Sequence, residues 1–163
     1  MHDVLDDIER WADVGERFAL ATVVGTWRSA PRQPGAAMAV AGDGEPVGSV
    51  SGGCVEGAVY ELSQEVLESG EPVFQRYGVS DDDAFAVGLT CGGIIDIFVE
   101  PVDATTFPEL AAVIASVREH EPVAVATVID GPGNIGVHFV VWSDRAAGGL
   151  GTPRLDAAVT DDV

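Results

Sequence analysis

The sequence predicts an α/β fold: a mixed β-sheet with about three helices, built from two related β-β-β-α units. Three observations point there. Short apolar, β-branched runs alternate with stretches whose apolar residues recur at helical spacing. Glycine and proline clusters separate them. The chain also echoes itself, because Ala19-Leu20-Ala21-Thr22-Val23-Val24 returns as Ala124-Val125-Ala126-Thr127-Val128-Ile129. With 163 residues, 47% hydrophobic and 21% charged, the chain suits one domain over 1–163 with a real core, and it is too apolar for disorder.

The elements follow in order. Val4, Ile8, Trp11 and Ala12 predict a helix over 3–17. Phe18 to Trp27 reads as a buried strand. A loop with two prolines, Arg28 to Gly35, leads to a strand at Ala36–Val40, an Asp43-Gly44 turn and a returning strand at Pro46–Val50. The loop Ser51-Gly52-Gly53-Cys54 comes next. Val55, Val59, Leu62 and Val66 then mark a helix that stops near Gly70. Strands are expected at Val73–Val79 and at Ile94–Val99, the latter ended by Pro101. Phe107, Leu110, Ile114 and Val117 give a further helix to His120. The second unit repeats strand, turn, strand and a glycine-rich turn, with Ala36–Val40 answered by Val137–Val141. It ends in a short helix in which Arg154 stands where the first unit has Cys54.

Bulk properties exclude several classes of function. The net charge is -19, all eight cations are arginines, and such a surface repels nucleic acid and anionic lipid. No apolar run is long enough to span a bilayer, and the acidic Met1-His2-Asp3-Val4 lacks the basic start of a signal peptide. The expected location is cytoplasmic, where two cysteines are better read as reactive or ligand-binding than as a disulfide. There is no dinucleotide fingerprint, no Walker A loop and no nucleophile elbow. His2, His120 and His138 show no ligand spacing, so no metal site is expected.

The candidate chemistry lies in three glycine-rich segments. Both cysteines abut paired glycines, in Ser51-Gly52-Gly53-Cys54 and Thr90-Cys91-Gly92-Gly93, where bare backbone lets a ligand approach closely. Cys54 opens a helix, whose N–H groups and dipole favour a thiolate or a bound anion. Glu56 in the first turn reads either as an acceptor for a ligand or as a plain helix-start acid. Cys54 itself reads either as a reactive thiol or as a small buried residue. Arg28 and Arg32 flank Ser29 and either clamp a phosphate or pair with surface acids. The second unit keeps the turn but drops the thiol, which marks Cys54 as more than part of the turn.

Three strings carry a family resemblance: Gly25-Thr26-Trp27-Arg28-Ser29-Ala30-Pro31, then Gly48-Ser49-Val50-Ser51-Gly52-Gly53-Cys54-Val55-Glu56, then Gly88-Leu89-Thr90-Cys91-Gly92-Gly93 with Phe98-Val99-Glu100-Pro101. Together they resemble the N-terminal domain of the XdhC/CoxI family, the accessory proteins of xanthine and carbon monoxide dehydrogenases. The C-terminal Rossmann-like domain of longer members has no counterpart in these residues. The resemblance implies a maturation chaperone, rather than a turnover enzyme, that binds molybdenum cofactor (molybdopterin) transiently. It implies help with sulfuration by a cysteine desulfurase and with insertion into a molybdenum hydroxylase. Cys54 and Cys91 would be the functional thiols. Arg28, Ser29, Arg32, Ser51, Gly52, Gly53, Glu56, Gly92 and Gly93 would line the cofactor site. A separate Rossmann-domain partner and a homo-oligomer are further expectations. The alternatives are a sulfur-transfer or redox enzyme using Cys54 and Cys91, and a cofactor-free adaptor that docks the dehydrogenase.

Overall fold

The computed structural model describes residues 2–28, 30–78 and 93–162. The chain packs as two compact units, Met1–Val102 and Asp103–Val163. The sequence reading treats 1–163 as one domain; in the structure each unit holds one of the two β-β-β-α repeats.

In the first unit a 3-10 turn, His2–Val4, runs into α1 (Leu5–Asp13), shorter than the helix expected to residue 17. Leu5, Ile8 and Trp11 form its buried stripe. β1 (Phe18–Trp27), β2 (Ala37–Ala41) and β3 (Pro46–Gly48) follow as a meander, then α2 (Glu56–Ser69), β4 (Val73–Tyr77) and β5 (Ile94–Val102). Their order is β3-β2-β1-β5-β4. The α/β class is as expected; every pairing among the described residues is antiparallel, and the strands form two antiparallel sheets. Short connections make hairpins of β2 with β3 and of β7 with β8, and hairpins join only antiparallel strands.

β1 lies at the centre of this sheet. Ala19, Ala21 and Val23 pack with Met38, Val40, Ile95, Ile97 and Val99 beneath Val55, which precedes α2, and Val59 and Val66 of α2. Each fully buried valine or isoleucine there contributes about 1.5–3 kcal/mol. Pro101 does not end β5, as the sequence suggested; the strand runs on to Val102. Pro101 lies opposite Ala19, whose amide turns towards β2, and β4 pairs β5 only as far as Val99. The missing N–H therefore costs no ladder bond. Val79, expected to close β4, lies outside the described residues.

The second unit contains α3 (Leu110–Glu119), β6 (Val123–Thr127), β7 (His138–Trp142), β8 (Ala146–Gly148) and α4 (Pro153–Asp162), with sheet order β6-β7-β8. Phe107 stacks on His138 at 3.9 Å, and the Trp142 indole N–H donates to Ser116 Oγ at 2.8 Å.

The internal echo is structural. Val23 donates to Ala36 and accepts from Gly35; Val128 donates to Val137 and accepts from Gly136. Gly48 and Gly148 both close their third strand at φ 79°. A Cβ on Gly48 would strike the Ala37 carbonyl oxygen, and one on Gly148 would strike the His138 carbonyl oxygen. Only glycine satisfies both the torsion and the approach.

Candidate functional site

Antiparallel register brings the loops after β1 and β3 and the start of β5 to one end of the five-stranded sheet. β1 leaves the sheet at Trp27, opposite Ile94, where β5 begins. β2 enters at Ala37, and β3 leaves at Gly48 opposite Met38. The Arg28–Gly35 loop, the Ser49–Val55 loop and Gly93 therefore share that end. Ser29, Cys91 and Gly92 lie outside the described residues.

The Ser49–Val55 loop is organised around the Glu56 carboxylate. Oε1 accepts from Ser49 Oγ at 2.7 Å and from the Ser51 N–H at 2.9 Å. Oε2 accepts from the Gly53 N–H at 2.7 Å and from Ser51 Oγ. The hydroxyls accept in turn: Gly52 N–H donates to Ser49 Oγ and Val55 N–H to Ser51 Oγ, each at 2.9 Å. Burial alone would raise the Glu56 pKa, but the bonds from Ser51, Ser49 and the backbone outweigh it and hold it down at about 2. Glu56 is an ionised carboxylate that holds the turn together.

This arrangement differs from the open anion cradle expected from the sequence. The N–H groups of residues 51, 52, 53 and 55 are already spent, and the anion they hold belongs to the chain. What the loop leaves bare is the Cα face of Gly52 and Gly53. Both have positive φ, and no atom lies within 4 Å of where a Cβ would project. Cys54 follows directly, half-buried, with its side chain against the core beneath α2. The second unit repeats the lock with a shorter acid, since Asp156 Oδ1 accepts from the Leu150 N–H at 2.7 Å.

On the loop after β1, Arg28 is exposed and sits at φ 64°, unusual for a non-glycine residue. Arg32 Nη1 pairs with Asp3 Oδ2 at 3.3 Å on the rim of a shallow cleft of about 410 Å³ formed by Asp3 and residues 31–36. Such an exposed pair is weak and easily exchanged for another anion.

Sequence reasoning missed a neighbouring cluster. Arg76 on β4 makes a bidentate pair with buried Asp96 on β5, at 2.6 and 2.7 Å, and its guanidinium lies 4.8 Å over the Trp27 ring. A Cβ on Gly25 would fall 2.9 Å from that ring, so glycine makes room for Trp27 to fold back. The available signal was Asp96 itself, a lone acid within Ile94-Ile95-Asp96-Ile97-Phe98-Val99. Glu100, further along β5, is buried, and burial pushes its pKa up to about 8. Among the described residues no cluster could hold a metal ion, and no helix is long and apolar enough to cross a membrane.

Comparisons with known proteins match this chain to a family. The molybdenum cofactor insertion chaperone PaoD of Escherichia coli K12 is 34% identical over 111 residues, covering 68% of this chain and 34% of that protein. A probable xanthine dehydrogenase subunit from Bacillus subtilis 168 is 34% identical over 91 residues, 53% of this chain and 27% of that one. A crystal structure of a xanthine dehydrogenase from Bacillus halodurans shares the fold, with a TM-score of 0.74 at 24% identity over 91% of this chain and 45% of that one. The chain thus spans less than half the length of each of these relatives. The profile of the XdhC and CoxI family matches residues 11–78 and 116–163, and each matched stretch contains one β-β-β-α repeat. The chain belongs to the XdhC and CoxI family.

Proposed function

We propose that this protein is a molybdenum-cofactor maturation chaperone. It binds the cofactor transiently as cargo and assists its sulfuration and insertion into a xanthine or carbon monoxide dehydrogenase-type hydroxylase. The observation that carries this reading is the shared sheet end of the Arg28–Gly35 and Ser49–Val55 loops, with Cys54 beside the bare Gly52-Gly53 backbone. The insertion chaperone named among the relatives supports the choice of cargo.

The residues divide the work. Ser49, Ser51 and Glu56 hold the loop in shape, because their polar groups are spent on one another. Gly52 and Gly53 let a flat ligand lie against the backbone. Arg28 and Arg32 take the cofactor's phosphate in place of the occupied N–H groups, with Asp3 releasing Arg32. Ser29, Cys91, Gly92 and Gly93 complete the set by their place in the family strings. Cys54 takes the terminal sulfur of a persulfide on the cysteine desulfurase partner, which leaves as a thiol.

The test is retention of molybdenum cofactor by the purified protein. Wild type retains it, Arg28→Ala with Arg32→Ala loses it, and Cys54→Ser and Cys91→Ser retain it without transferring sulfur. A wild-type protein that retains none refutes the carrier reading. The internal occupancy of the loop N–H groups favours one second reading, a cofactor-free adaptor. Wild type that co-purifies with the hydroxylase but holds no pterin selects the adaptor.

A further inference from the structure

The last part of β1 is held less firmly than the rest. β2 runs beside β1 from Phe18 to Thr22, with one more hydrogen-bonded step at Val23. Gly25, Thr26 and Trp27 pair with β5 alone, beyond a register shift between Val23 and Gly25. A glycine inside a strand weakens it further. The core does not compensate, since none of these three residues is buried and Trp27 is 47% exposed.

Side chains supply a restraint at this point. Arg76 on β4 and Gly25 on β1 both lie opposite Asp96 on β5, so one rung of the sheet carries all three. Buried Asp96 accepts from Arg76 Nε and Nη2, one at each carboxylate oxygen. Two such bonds fix the plane of a guanidinium. That guanidinium lies over the Trp27 indole, which folds back across Gly25 because no Cβ stands there. Desolvation of Asp96 offsets much of the attraction, so the pair contributes direction more than net stability.

The consequence falls on Arg28. It follows Trp27 directly and sits at φ 64°, a narrow basin for a residue with a Cβ. With that torsion confined, the Trp27 peptide sets the direction in which the Arg28 side chain leaves the sheet end. We propose that Arg76, acting through Trp27, is a positioning residue for Arg28, with Asp96 and Gly25 as the other parts of the same clamp. The role rests on the carrier function proposed above, in which Arg28 takes the cofactor's phosphate. An arginine presented in a fixed direction binds an anion more tightly than a mobile one, because less freedom is lost on binding.

NMR relaxation and ligand binding test this together on the full chain. The Arg28 amide is rigid in wild type, with an order parameter of about 0.85, and drops below about 0.6 in Arg76→Lys. Lysine keeps the charge opposite Asp96 but has no planar fork to lay on the indole. The α2 amides stay as rigid as before. Anaerobic titration with molybdenum cofactor shows binding weakened by about tenfold in the same variant. Trp27→Leu leaves the Arg76–Asp96 pair in place and gives both changes; it decides alone if Arg76→Lys does not fold. An Arg28 amide that is mobile in wild type, or equally rigid in the variants, overturns the proposal, and so does a loss of order that spreads to α2. Wild type that binds no cofactor refutes the carrier reading and this role with it. Wild type that binds, with variants that bind equally well, refutes this role alone.

Discussion

Replacing Glu56 with glutamine tests the loop directly. The side chain keeps its size but loses its charge and one acceptor oxygen. The Gly53 N–H and the Ser51 hydroxyl then face an amide nitrogen in place of Oε2. The magnitude follows from the carboxyl pKa, which falls from 4.5 to about 2. At 1.36 kcal/mol per unit this corresponds to roughly 3 kcal/mol. The loop is partly exposed, and solvent screening reduces the figure to about 1–2 kcal/mol. The sign with pH is fixed. Glu56 is held below its unfolded value, so its stabilisation is complete above 4.5 and is lost as pH falls towards about 2. Urea denaturation of wild type and Glu56→Gln at a series of pH values measures this. The two curves separate by about 1–2 kcal/mol at neutral pH and converge in acid. A gap that stays constant down to pH 3, or no gap at neutral pH, refutes the assignment of Glu56 as the ionised centre of the turn.

Three further outcomes are expected. Gly48→Ala forces a Cβ into the Ala37 carbonyl and Val4 at φ 79°, and it destabilises the first unit by at least about 2 kcal/mol in urea unfolding. Ser116→Ala removes the acceptor of the buried Trp142 indole N–H and costs about 1–3 kcal/mol, read by tryptophan fluorescence during denaturation. His138 and Glu100 narrow the stable pH range from opposite sides. Burial lowers the His138 pKa from 6.5 to about 4, so stability falls as pH drops between those values; burial raises Glu100 from 4.5 to about 8, so stability falls as pH climbs through that range. His138→Phe removes the acid slope and Glu100→Gln the alkaline one in thermal midpoints against pH.

Much of the fold was legible because the strands carry their own punctuation. Phe18–Trp27 was read to the residue, bounded by an arginine-proline loop after it. Gly70 closed α2 as expected, since a left-handed residue with its N–H on the Val66 carbonyl is what a helix-ending glycine supplies. Pro101 misled because the harm a proline does depends on which neighbour its missing N–H would have met, and that is a property of the sheet. The Arg76–Asp96–Trp27 cluster escaped for the same reason, as it joins three strands whose order no local pattern encodes. The candidate site was legible as a set of loops and illegible as hydrogen bonds. Glycines beside a helix start promise free N–H groups, but whether a nearby carboxylate folds back onto them is decided by side-chain reach.

Comparison of the two repeats separates the turn from the site. Glu56 accepts two backbone N–H groups of its strand-to-helix turn and Asp156 accepts one of its own, so a carboxylate at this position belongs to the architecture. Gly48 and Gly148 share the same torsion and the same close approach and belong there too. The first turn adds the Ser49 and Ser51 hydroxyls, the consecutive Gly52 and Gly53, and Cys54; the second has Gly149, Gly151, Thr152 and Arg154 in this stretch. The bare double glycine followed by Cys54 occurs in one copy only. This supports the proposal that the chemistry of this chain lies at the first turn, with the second copy as its structural control.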